Sequence, residues 1–310
     1  MSGPTTPGMA RLAVLLAVLA ALVAGCGGGD AGTPSAGPGE PVDVRQLARA
    51  ASTSAEASSG RFSFALEASM PGAEETFSFS GEGAFDVASE RASFSVDMSS
   101  FAALLGGLLT GLGAAAGADA PDFDEPDGWR IDAIRDGSTR YVRFPALAGK
   151  LPEGKAWIRS EDGAAASDLE GLGQLTEVDP RELLEILREV SGDVETVGTE
   201  TVRGAETTHY RATLDATSAT ASVPEADRED FRALADKLLS QSGLSEIPLD
   251  VWIDDDGLLR KFQLDVSATQ PGASEPSRAA LTFEIWDVGR PVAIEVPPAS
   301  GVVDASELED

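Results

Sequence analysis

The feature that most constrains this chain is an apolar alternation of period two that returns along much of its length. Phe62, Phe64 and Leu66 alternate with polar neighbours, as do Phe77 with Phe79, and Phe94 with Val96 and Met98. Because a strand turns successive side chains to opposite faces, each stretch predicts a strand with one buried face. Trp129 to Arg135, Ser138 to Phe144 and Lys155 to Arg159 add three short strands, the first two joined by Asp136-Gly137, a strong hairpin signal. Strands resume over 194–202 and 207–214, separated by Arg203-Gly204. The chain closes with strands over 248–254, 258–268 and 280–288, with Asp256-Gly257 turning between the first two.

Helical patterns interrupt this succession. Val44, Leu47, Ala48 and Ala51 share one helical face behind Asp43 as a cap. Asp179-Pro180-Arg181-Glu182 combines a capping Asp, Pro in the first turn and Glu three residues after the cap, and Leu183, Leu184, Leu187 and Val190 follow as a buried stripe. A further helix is expected over 224–241, with Phe231, Leu234, Leu238 and Leu239 on its apolar side. Antiparallel strands with a few inserted helices make an α+β protein, in which the helices are expected to cover the concave side of a curled sheet. The segment from Phe101 to Ala118 reads in two ways, as a core helix or as a mobile apolar flap over a greasy cavity. Leu104, Leu105, Leu108, Leu109 and Leu112 make it apolar nearly all round, and Gly106, Gly107, Gly111 and Gly113 loosen it. The core helix is favoured, since a helix apolar all round is usually buried.

At the other end, Arg11 precedes an apolar stretch from Leu12 to Val23, which runs through small residues into the single cysteine, Leu22-Val23-Ala24-Gly25-Cys26. This resembles a bacterial lipobox, by which Cys26 receives a thioether-linked diacylglycerol, residues 1–25 are cut away as a signal peptide, and Cys26 becomes the new N-terminus. A plain secretory signal with a chance cysteine accounts less well for the position of Cys26. A spanning helix accounts for it less well still, because the run falls short of the ~20 apolar residues that cross a bilayer. Acylation leaves no thiol for a disulfide, a metal or nucleophilic chemistry. Residues 26–41, rich in Gly, Pro, Ser and Thr, read as a flexible tether, 42–300 as a single domain, and 301–310 as an acidic tail that frays from Asp304.

Composition narrows the partners. A formal net charge of −29 repels nucleic acid and anionic headgroups, and its spread along the chain describes a solvated surface. No catalytic residue is assigned. The one histidine, His209, alternates with Thr208, Tyr210, Ala212 and Leu214, which puts it and Arg211 on the water side of their strand; it is expected to be exposed and to tolerate substitution. No Gly-x-Ser-x-Gly elbow, Ser-x-x-Lys or Gly-rich phosphate loop occurs. Asp254-Asp255-Asp256-Gly257 fails as an EF-hand, because Trp252 falls where the first acidic ligand belongs, and no metal ligand or cofactor is assigned. Paired carboxylates for glycoside chemistry are not marked among the 52 acids.

The lipobox, the tether and the long antiparallel sheet are joined by two segments. These are Val197-Gly198-Thr199-Glu200-Thr201-Val202-Arg203-Gly204 leading into Thr207-Thr208-His209-Tyr210, and Val251-Trp252-Ile253-Asp254-Asp255-Asp256-Gly257-Leu258-Leu259-Arg260-Lys261. Together they resemble the LppX/LprG family of actinobacterial lipoproteins. The resemblance implies a LolA/LolB-like half-barrel, a strongly curved antiparallel sheet with helices on its concave face around a hydrophobic cavity. It implies a lipoprotein anchored at the extracytoplasmic face of the cell membrane that binds an acylated lipid or glycolipid and carries it across the envelope. A membrane transporter is then a partner, and the chain is not an enzyme. The Leu/Gly/Ala-rich stretch and the heavy acidity depart from the family pattern and leave cavity shape and ligand open. Fold resemblance alone transfers no ligand. An envelope sensor resembling RseB, acting through a protein partner, is the alternative, with a hydrolase third. From the residues themselves, Phe62, Phe64, Phe77, Phe79, Phe94 and Val96, with Leu104, Leu105, Leu108, Leu109 and Leu112, are the candidate cavity lining.

Overall fold

Every alternating stretch named above is a strand. The computed structural model describes residues 41–42, 45–69, 76–100, 129–161, 191–215, 246–268 and 277–308. Its strands in chain order are β1 (Pro41–Val42), β2 (Ser59–Ser69), β3 (Phe77–Asp86), β4 (Arg91–Asp97), β5 (Arg130–Asp136), β6 (Thr139–Arg143), β7 (Trp157–Glu161), β8 (Ser191–Val202), β9 (Ala205–Asp215), β10 (Glu246–Asp254), β11 (Leu259–Ala268), β12 (Ser277–Trp286) and β13 (Val302–Asp304). β1 and β13 go beyond the sequence reading. The first expected helix is present as α1 (Arg45–Ala55). The helices expected over 179–190 and 224–241 lie outside the described residues, as do Cys26 and the segment from Phe101 to Ala118. The described part is thus mostly antiparallel sheet with a single α-helix.

Two compact units divide the chain, one of Met1–Ala57, Leu66–Thr76 and Glu177–Trp286, the other of Ser58–Ala65, Phe77–Thr176 and Asp287–Asp310. In the first unit the strands run in the order β1-β8-β9-β10-β11-β12. Their register aligns apolar side chains in rows across the sheet. Tyr210, Val251, Phe262 and Phe283 are successive partners, as are Ala212, Leu249, Leu264 and Leu281, and all eight are buried. Phe262 and Phe283 stack with centroids 5.2 Å apart, a geometry that contributes beyond area burial. α1 rests on β10 and β11. It buries Leu47, Ala50 and Ser54, and the Leu259 N–H donates to Ser54 Oγ at 2.9 Å, which satisfies a backbone group at the start of β11. The β8–β9 turn takes positive φ at both Arg203 (44°) and Gly204 (84°), as a two-residue hairpin turn of the right twist requires.

The second unit has the order β3-β4-β5-β6-β7-β13, antiparallel except for the parallel pair β7–β13. Gly81, Val96 and Ile131 form one row, and Gly83, Phe94, Ala133, Val142 and Ile158 the next. The expected fraying from Asp304 is corrected here. Val302–Asp304 is a strand, Val303 and Ala305 are buried with Ile158 against Leu151 and Leu308, and Asp304 accepts from the Ser306 N–H and hydroxyl. The acids in this stretch conceal four apolar residues, Val302, Val303, Ala305 and Leu308, and burying them offsets the entropy of ordering the chain end.

On the opposite face of this unit, Asp132 collects the Ser95 hydroxyl at 2.5 Å, Arg143 at 2.5 Å and Arg130 at 3.4 Å. Burial pushes its carboxyl up, but the Ser95 and Arg143 hydrogen bonds, with the charges of Arg143 and Arg130, outweigh it and hold the group below the ordinary aspartate value. Its contribution to stability is therefore fully present above the unfolded value of about 3.9 and is lost as the pH falls through the lower folded value. Asp132→Asn is expected to flatten the loss of urea stability below about pH 4, where the wild-type carboxyl takes up its proton. An acid profile as steep in the variant as in the wild type would show that Asp132 carries none of it.

Candidate functional site

Phe62 and Phe64 of β2, Phe77 and Phe79 of β3, and Phe94 and Val96 of β4 all belong to the second unit. Alternation turns Phe62 and Phe64 to one face of β2, where both are buried, as are Phe94 and Val96; Phe77 and Phe79 are half-buried. The rings of Phe62, Phe64, Phe79 and Phe94 form one cluster. Phe94 stacks on Phe62 at 5.9 Å and on Phe64 at 5.6 Å, and Phe64 meets Phe79 at 5.5 Å in a tilted pair. Ile131, the partner of Val96, extends the same apolar face and is fully buried. Leu104, Leu105, Leu108, Leu109 and Leu112 lie outside the described residues.

Two residues escaped the sequence reading. Gly81 and Gly83 sit at inward positions of β3 beneath the cluster. A β-carbon at Gly81 would stand 2.5 Å from Phe64 Cε1, and one at Gly83 would stand 2.5 Å from Phe62 Cζ. The signal was available, since both glycines continue the period-two series Phe77, Phe79, Gly81, Gly83, Phe85. Aromatic rings covering strand glycines compensate for the missing side chain. The chemistry of such a face is non-directional. It favours alkyl groups through area removed from water, at about 0.8 kcal/mol per methylene.

His209 is the main correction in the first unit. It is 6 % exposed rather than turned to water. Its ring stacks on Trp252, its partner on β10, at 4.2 Å and 14°, and Lys261 on β11 places Nζ 4.3 Å from the centre of the indole. His209 Nε2 is 2.7 Å from Asp250 Oδ1, which also accepts from Arg211 Nε at 3.0 Å. Nδ1 lies 3.3 Å from Glu200 Oε1, off the line a hydrogen bond needs, while the Trp252 indole N–H donates to Glu200 Oε2 at 3.1 Å. Alternation alone makes this face of β9 polar and water-facing, but cross-strand neighbours of long side chain cover it. His209→Ala is expected to cost about 1–3 kcal/mol in urea unfolding by removing the stack and the Asp250 partner. A loss under about 0.5 kcal/mol, the range of surface substitutions, would return His209 to the solvated face. Among the described residues no group of three His, Cys, Asp or Glu could hold a metal ion.

No family model matches the chain. An uncharacterized 31.2 kDa protein of Streptomyces griseus, from the rplA-rplJ intergenic region, is 33% identical over 161 residues, 50% of this chain and 50% of that protein. A Streptomyces coelicolor protein, a lipoprotein by name only, is 26% identical over 177 residues, 54% of this chain and 49% of its own length. The chain thus spans about half the length of the curated relatives it matches. Among solved structures, LprF from Mycobacterium bovis is 14% identical, covering 82% of this chain and 96% of its own, with a TM-score of 0.43. The lipoprotein LppX of Mycobacterium tuberculosis is 15% identical, covering 81% and 97%, with a TM-score of 0.39. Among known proteins the chain is similar to the LppX/LprG family of lipoproteins, to which LprF and LppX belong.

Proposed function

We propose that this protein is a lipid-anchored lipoprotein of the extracytoplasmic face of the cell membrane that binds an acylated lipid or glycolipid and carries it across the envelope without chemical change. The observation that carries the reading is the cluster of Phe62, Phe64, Phe79 and Phe94 on one face of successive strands, with Phe77 and Val96 beside it. An apolar face of this size needs shape and dryness to hold an acyl chain, with few directional contacts. In this reading residues 42–300 act as one lipid-binding domain. A strongly curved sheet with helices on its concave face encloses the ligand, and the leucines from Leu104 to Leu112 complete the cavity wall. The lipoprotein name of the Streptomyces coelicolor relative agrees with lipidation at Cys26. A membrane transporter would deliver or receive the lipid.

Native mass spectrometry of the full chain carrying Cys26→Ala, which removes the covalent lipid, tests this. Co-purified acylated lipid is expected, and Leu105→Trp or Leu108→Trp is expected to lower the amount retained by filling the cavity. Protein that carries no lipid, even after loading with candidate acylated lipids, would give the site to the alternative, a sensor that acts through a protein partner.

A further inference from the structure

We infer that Gly81 and Gly83 are positioning residues for the acyl-binding face. By lacking a β-carbon they let the rings of Phe64 and Phe62 lie against the β3 backbone, and so set how far an acyl chain reaches toward the sheet. The inference rests on the acyl-binding reading above.

Glycine weakens a strand interior, so two of them at successive inward positions call for a cause. Backbone conformation supplies none. Gly137, Gly154, Gly204, Gly257 and Gly289 adopt the positive φ that favours glycine, and Gly81 and Gly83 do not. Turn geometry supplies none either, since both lie mid-strand, paired with Val96 and Phe94. What distinguishes them is close approach. A β-carbon at Gly81 would meet Phe64 Cε1 at 2.5 Å, Phe64 Cζ at 2.8 Å and the Ser95 carbonyl oxygen at 2.8 Å. One at Gly83 would meet Phe62 Cζ at 2.5 Å and Cε1 at 2.8 Å, with the Ser93 carbonyl oxygen closer still. At Gly198 and Gly301 a β-carbon would meet nothing within 4 Å, so among the described glycines the crowding is particular to these two sites.

Non-bonded carbons settle at about 3.5–4.0 Å, so a methyl at position 81 lifts the Phe64 ring by roughly 1 Å. The backbone of β3 blocks one side of that ring. It therefore moves away from the sheet, into the volume the acyl chain takes. Phe94, stacked on both rings, moves with them or loses contact. The expected consequence is a change in chain-length preference rather than a uniform loss of binding, because the expelled methylenes belong to the far end of a long chain.

The experiment compares the Kd of decanoic and octadecanoic acid for the full chain carrying Cys26→Ala, by displacement of a fluorescent fatty acid, with thermal unfolding measured alongside. Gly81→Ala is expected to lower the preference for octadecanoic over decanoic acid by roughly fourfold for each methylene the lifted ring expels. Adding Phe64→Ala to Gly81→Ala removes the clashing ring and leaves the Ser95 carbonyl oxygen contact at 2.8 Å, so in the double variant that folds, as thermal unfolding reports, the preference returns to the wild-type value or above it. Phe64→Ala alone places no new atom beside the Ser95 carbonyl oxygen and keeps the test open if Gly81→Ala does not fold. It is expected to raise the preference for the longer chain. An unchanged preference in Phe64→Ala or in folded Gly81→Ala, or no return in the double variant, overturns the inference and leaves the carrier reading standing. A wild type that binds neither acid overturns both.

Discussion

Phe283→Ala is expected to destabilise the first unit by about 3–5 kcal/mol, a large part of the stability of an ordinary domain. Phe283 is completely buried, stacks on Phe262 at 5.2 Å, and ends the row that begins at Tyr210 and runs through Val251. Truncation removes the transfer energy of the ring and leaves a void that β12 and its neighbour β11, tied by their ladder, collapse into only partly. Urea unfolding followed by tryptophan fluorescence measures it, with Trp252 on β10 and Trp286 on β12 as reporters within the unit. Val197→Ala is the control, since Val197 is 48% exposed and its loss belongs to the range of about 0.5 kcal/mol. If the two variants unfold at the same urea concentration, that row is not the core of the unit.

The second large effect concerns the membrane. Cys26→Ala is expected to move the protein from the membrane fraction to the soluble one almost completely. A diacylglyceryl group supplies two buried chains, which anchor stably, whereas a single chain binds only marginally and reversibly. Among the described residues no helix is long and apolar enough to cross a membrane. Fractionation of cells expressing wild type and variant settles the point. A Cys26→Ala protein that sediments with membranes and resists a salt wash would mean that some other segment, the uncleaved run before Cys26 included, does the anchoring. Because the acidic chain is repelled by anionic headgroups, loss of the lipid leaves little surface attraction to mask the result.

Strand existence was legible in the residues because alternation is a local code. Phe62, Phe64 and Leu66 announce the buried face of β2 with no knowledge of its neighbours, and Asp136-Gly137 announces a turn from the φ its glycine can take, 61° in the structure. α1 was legible for the same reason, through helical spacing. The aromatic half of the candidate site was readable as a set of inward residues, but not as a cluster, since which rings touch depends on register between strands.

What tertiary structure alone decided lies in those cross-strand relations. His209 and Trp252 are 43 positions apart in sequence and become stacked partners only when β9 and β10 align. A face that is polar by alternation is thereby sealed from water. Gly81 and Gly83 look like weak points within β3 until the rings of β2 are seen to occupy the space their side chains would take. Val302–Asp304 reads as the start of an acidic tail until β7 offers it a parallel edge and Ile158 an apolar surface. In each case the residue's own chemistry sets what it can do. The neighbour brought by the sheet decides what it does, because burial and hydrogen bonding are properties of pairs of residues that the chain holds far apart.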